Sequence, residues 1–236
     1  MGVKYYFNKA LFFLTTPVLA VLLYFYGDTP EYFDNIYIAA LCLSCIFCWT
    51  DKDTLGALVI LLGYWLGSKA LYIVPDTWQY WFVIYGLGIG LSCYYFHHIT
   101  AKITLIIVLY SIVAECLWWY QGYADKPEIH YVVGLLCITV WARQLLFNRV
   151  LIAHEYFKYT SGKTGLDTHI GGILYFYFGL VLLMALEYFV RHVGGFTDVT
   201  TIYYLFTPIS NVISGITLAV IYMHFFNNQS KKHLSA

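Results

Sequence analysis

Apolar residues in this chain come in blocks of about twenty, set apart by short polar breaks, and they do not alternate over ten-residue stretches as barrel strands would. A helix crossing a bilayer needs roughly 17–25 such residues. The blocks predict eight spans, at 10–27, 32–49, 55–74, 78–97, 101–121, 129–147, 169–190 and 200–226. The breaks carry turn chemistry: "YGDTPEYFD", "TDKD", "VPDTW", "YADKPE" and "HVGGFTD". Pro30, Pro75 and Pro127 stand at or beyond predicted helix ends, where a missing amide costs least. The expected fold is an all-α integral membrane protein, a bundle of about eight helices forming one polytopic domain over 1–236. The breaks leave no room for a soluble domain. Lys4 and Lys9 precede an apolar run that resembles an export signal. The run continues past the small-residue position at Ala20, so it reads as an uncleaved first span.

Composition places the chain in lipid. Hydrophobic residues make up 61% and charged residues 11%, against about 25% charged in ordinary soluble domains. Mean hydropathy is +0.67. The lipid bilayer is therefore the expected partner. A net charge of zero gives no footing for nucleic acid. The six cysteines (Cys42, Cys45, Cys48, Cys93, Cys116 and Cys137) all lie inside apolar runs, so they read as small apolar side chains rather than a disulfide framework.

Charge position supplies a direction. On the side that would hold both termini lie Lys4, Lys9, Lys52, Lys102, Arg143, Arg149, Lys158, Lys163, Lys231 and Lys232, ten residues in all; the other side has only Lys69, Lys126 and Arg191. The positive-inside rule then puts both termini in the cytoplasm of a plasma (inner) membrane. Trp78, Tyr80 and Trp81 open the fourth span, and Trp118, Trp119, Tyr120 and Tyr123 close the fifth. Both groups fit an aromatic belt at the outer interface.

Against this background Glu115 stands out. It follows a long apolar run and precedes two tryptophans, which at about 1.5 Å per residue sets it about 4 Å outward of the midplane. Lys69, Glu187 and Arg191 fall in the same leaflet. A charge at such depth costs about 2.5–3.5 kcal/mol or more, so these groups are expected to face the bundle interior and find partners. Glu187 and Arg191 have the favourable (i, i+4) order for a pair on one helix. Lys69 and Glu115 are then expected to approach each other across two spans or to share a wet cavity. As a structural clamp they would fix helix register; as an ion or proton pathway they would sit beneath an acidic vestibule.

Other constellations add candidates. Gly63/Gly67 and Gly86/Gly90 are GxxxG pairs, suited to close helix packing or to contacts in a homo-oligomer or larger membrane complex. Pro208 sits inside the last span with Ser210, Asn211, Ser214 and Thr217, a polar load like that of the broken helices of transporters; Pro17 interrupts the first span similarly. Alternatively, those side chains bond carbonyls of their own helix. His97, His98, His154 and His169 gather toward the cytoplasmic side as weak metal candidates, but no histidine-box spacing accompanies them. "SGKTG" lacks the first glycine of a phosphate loop, since Phe157 stands there. No cofactor is implied. Val150, Leu151, His154 and Phe157 suggest that the sixth span extends into an interfacial helix.

Three function classes follow. The first is a small transporter or channel-like protein using Glu115, Lys69, Glu187, Arg191, Asn211 and Ser214. The second is a non-catalytic membrane subunit or partner-binding scaffold. The third is a membrane-embedded enzyme, with or without a metal, using the cytoplasmic-side histidines.

Overall fold

A computed structural model describes residues 30–49, 51–73, 77–123, 128–159, 162 and 164–234. Over these residues the chain is helical, with no strand among them. The helices are α1 (Pro30–Phe47), α2 (Lys52–Ile73), α3 (Trp78–Tyr94), α4 (Ile99–Gln121), α5 (Ile129–Phe147), α6 (Arg149–Phe157), α7 (Gly165–His192) and α8 (Thr201–Leu234). Five are long and apolar enough to cross a bilayer: α2, α4, α5, α7 and the stretch Thr201–Phe225 of α8. This is the architecture of a multi-pass helical membrane protein. The expected first span, at 10–27, lies outside the described residues. α1 carries a shorter apolar stretch, Tyr32–Phe47, and α3 has 17 residues.

Most boundaries agree with the apolar blocks to a few residues, and the differences have local causes. α3 stops at Tyr94 instead of 97 because the chain turns there, with the His98 amide donating to the Tyr95 carbonyl at 2.9 Å. α7 begins at Gly165 because Thr164 and Asp167 build a cap ahead of the apolar block. α8 passes through Pro208 and continues to Leu234, since a polar tail can stay helical beyond the hydrocarbon. The short amphipathic helix expected after the sixth span is α6, with Leu151 and Phe157 exposed along it.

The chain divides into two compact units. Of its described residues, the first takes those up to Leu62, Leu146–Ile173 and those from Ile209 onward. Here α1 meets α8, with the Ser44 hydroxyl reaching its own helix at the Ala40 carbonyl (2.7 Å) and Tyr222 Oη at 3.4 Å. The second unit takes Gly63–Leu145 and Leu174–Pro208. Its apolar core runs through Ile84, Val108, Ala114, Val133, Leu136, Phe178 and Val181. α5 is its most enclosed helix, buried over 72% of its apolar stretch.

Close backbone approach in the second unit depends on glycines other than the expected pairs. A Cβ at Gly88 would meet Val108 Cγ2 at 3.0 Å and Cys137 Sγ at 3.1 Å, so α3, α4 and α5 converge at this point. A Cβ at Gly134 would meet Leu71 Cδ1 at 2.8 Å. Gly86 and Gly90 lie on the exposed side of α3, where a Cβ would meet nothing within 4 Å among the described residues; the same holds for Gly63. Gly67 packs on Ile138.

Candidate functional site

The convergence at Gly88, Val108 and Cys137 sets the register of a seam between α3, α4 and α5. Residues repeating at helical spacing from these three share the seam. Tyr85 lies three residues before Gly88, Glu115 seven beyond Val108 and His130 seven before Cys137, all toward the α4–α5 turn. Each is buried. Glu115 is 9% exposed, as the expectation of an interior-facing carboxylate requires. Tyr85 lies beside Glu115 in this part of the seam, with no hydrogen bond made by Tyr85 Oη among the described residues. His130 lies against the Trp81 ring, with centroids 5.7 Å apart. A carboxylate, a phenol and an imidazole thus sit in one apolar seam.

Lys69 is half-buried on α2. Glu187 is buried, as expected, but its partner differs from the one the spacing suggests. No ion pair joins Glu187 to Arg191. The two carboxylate oxygens instead accept from the amides of Ile202 (2.6 Å) and Tyr203 (2.9 Å) in the first turn of α8. The reason is physical: first-turn amides have no partner within their helix and carry its positive pole, so two of them together satisfy both oxygens of a buried carboxylate. Beside this cap, Trp118 Nε1 donates to the His192 carbonyl (3.3 Å) and Tyr123 Oη lies 3.2 Å from His192 Nδ1, tying the end of α4 to the end of α7.

In the first unit Ser214 is fully buried and Asn211 half-buried. Ser214 Oγ donates to the Ser210 carbonyl (2.8 Å) and Thr217 Oγ1 to the Ile213 carbonyl (2.7 Å). Those hydroxyls serve their own helix in the way that Ser and Thr settle in lipid. His154 and His169 are exposed in this unit; in the other, His97 is exposed and His98 half-buried. Among the described residues no three metal-ligating side chains gather.

The first unit also holds an ion-pair node that the sequence reading does not contain. Arg149 is 5% exposed. Its Nε reaches Asp167 Oδ1 (2.8 Å), its Nη2 reaches Asp167 Oδ2 (2.7 Å) and the Gly162 carbonyl (2.9 Å), and its Nη1 reaches Asp53 Oδ1 (3.3 Å). Burial works to lower the guanidinium pKa, but hydrogen bonds and charge from Asp167 and then Asp53 outweigh it, so the net shift is upward. Gly56 leaves room for the arginine: a Cβ there would stand 3.2 Å from Arg149 Cδ. The spacing Thr164-x-x-Asp167 is a capping pattern, and it is the one local signal that could have pointed to this node.

No protein-family model matches the chain, and no curated protein or solved structure matches it either.

Proposed function

We propose that this chain is a small transporter or channel-like protein of the plasma (inner) membrane with both termini cytoplasmic, and that a proton or small cation passes Glu115. The carrying observation is the burial of Glu115 beside Tyr85 in the α3–α4–α5 seam. An ionisable group held so deep in a span is a functional element by default, because an apolar residue would fill the same space at lower cost. Tyr85 adds a hydroxyl that can both donate and accept, as a relay group must. Lys69 is the cation assigned to balance Glu115 when the carboxylate is charged. Glu187 and Arg191 frame the outer end, Glu187 through the α8 cap.

The experiment is Glu115→Gln, which keeps the shape and removes the charge. Reconstituted in proteoliposomes at a protein amount matched to wild type, the folded variant should lose ion or proton flux. Flux equal to wild type would refute a pathway through Glu115.

A second reading, a membrane subunit that binds a copy of itself or another membrane protein, is favoured by Gly86 and Gly90. Both lie exposed on α3, where a Cβ would meet nothing within 4 Å among the described residues, which suits the close approach of a partner helix.

A further inference from the structure

Beyond the apolar contact at Gly88, Val108 and Cys137, the same seam turns polar again toward the α3–α4 turn. Ser92 lies four residues past Gly88, Thr104 and Thr100 four and eight residues before Val108, and Gln144 seven past Cys137. These spacings keep all four on the seam, at matched depth to within about 6 Å at 1.5 Å per residue. None is more than 1% exposed. Thr104 is satisfied, its Oγ1 donating to the Thr100 carbonyl at 2.9 Å. Ser92 Oγ, Thr100 Oγ1 and Gln144 Nε2 have no hydrogen-bond partner among the described residues.

Three such groups on three packed helices are not an accident of one rotamer. Burying a hydroxyl or amide without a hydrogen bond is unfavourable, so a folded seam with three of them needs something to bond. The side chains along this part of the seam are small: Ser92, Thr100, Ala101 and Thr104. The chemistry also limits the occupant. Two hydroxyls can donate and accept, an amide can donate, and no charged side chain is among them. The nearest cation in sequence, Arg143, lies over the Tyr175 ring at 5.2 Å. An ion would enter without a counter-charge, whereas water matches the site in size, neutrality and bonding.

We infer that Ser92, Thr100 and Gln144 enclose an internal water site, separated from Glu115 and Tyr85 by the apolar contact at Gly88, Val108 and Cys137. The site holds whether or not Glu115 carries cargo. In a transport cycle it would be a hydrated half-path behind a dry constriction.

Two measurements test it. In a nanodisc structure resolved well enough to place waters, density should lie within hydrogen-bond reach of at least two of the three groups; a dry seam would overturn the inference. The second is thermal unfolding of purified Thr100→Val, Ser92→Ala and Gln144→Leu. If the groups bond water, each loss removes a partner from the shared site and lowers the midpoint, while Thr100→Ser, which keeps the hydroxyl, stays near wild type. If the groups are dry and unsatisfied, Thr100→Val relieves a penalty and raises the midpoint, which sinks the proposal. A midpoint raised by sodium or potassium salt in wild type but not in Thr100→Val would also overturn it, since the occupant would then be a cation.

Discussion

Asp167 grips Arg149 with both carboxylate oxygens, at 2.8 Å from Nε and 2.7 Å from Nη2. The same Oδ2 also accepts from the Thr164 amide (2.7 Å) and hydroxyl (3.0 Å), so one carboxylate caps α7 and holds the start of α6. A planar fork meeting a carboxylate in this way is available to arginine and not to lysine. Removing one partner strands the other in a buried place. Asp167→Asn should therefore destabilise the protein by about 3–5 kcal/mol. Arg149→Lys should not rescue the fold, and Arg149→Met with Asp167→Leu should recover part of the loss. The check is chemical unfolding of the three variants in detergent; wild-type stability for Asp167→Asn would show that the node contributes nothing.

Glu187 gives a second test. Its oxygens satisfy two first-turn amides of α8, a task normally done by a capping residue in the same helix. Glu187→Gln keeps one acceptor and loses the charge that meets the helix pole, so a loss of roughly 1–2 kcal/mol is expected, with Glu187→Ala costing more. Amide hydrogen exchange at Ile202 and Tyr203 should rise in both variants while the middle of α7 stays protected.

The glycines divide by environment. Gly88→Val adds atoms where a Cβ alone would sit 3.0 Å from Val108 and 3.1 Å from Cys137, and Gly134→Val does the same against Leu71. Such overpacking should cost about 1–3 kcal/mol or prevent folding. Gly86→Ala and Gly90→Ala should leave the monomer as stable as wild type. If α3 joins copies of the chain, the same two substitutions should weaken association in crosslinking or size measurements.

Lys69 and Glu115 are proposed to balance one another. Lys69→Met and Glu115→Gln should each lower stability, and the double variant should lose less than the sum. Additive losses would show that the two charges do not meet.

Orientation has a direct readout. In a cysteine-free background, Phe196→Cys, on the exposed turn after α7, should react with an impermeant reagent added outside intact cells. Phe157→Cys, exposed at the end of α6, should not. The reverse pattern would invert the assignment drawn from the basic residues.

What the sequence discloses about this fold is mainly where helices lie. α5 matches its apolar block to the residue because "YADKPE" and Asn148 punctuate both ends. α7 and α8 run longer than their blocks, since hydropathy marks the hydrocarbon layer while a helix stops where its hydrogen bonds do. The burial of Glu115 and Glu187 follows from their depth, because a charge among apolar residues has only the interior to turn to. Partner choice is harder to read. An (i, i+4) count proposes Arg191 for Glu187 but cannot weigh it against amides fifteen and sixteen residues away, which become neighbours only after the chain turns. Arg149 looks like one more cytoplasmic-side cation until α2 and α7 bring Asp53 and Asp167 to it. Ser92, Thr100 and Gln144 are unremarkable singly and acquire meaning only from the register set at Gly88.

The Glu187 cap also bears on how the chain enters a membrane during synthesis. Threaded alone, α7 would carry an unpartnered carboxyl group into the bilayer, and α8 would lead with bare amides and a positive pole. Joined through the turn at 193–200, each quenches the other, so insertion as a preassembled hairpin costs less than passing the two segments one after the other. In that sense α7 and α8 are a single cargo for the insertion machinery. A ribosome stalled before Tyr203 would present it with the more expensive half.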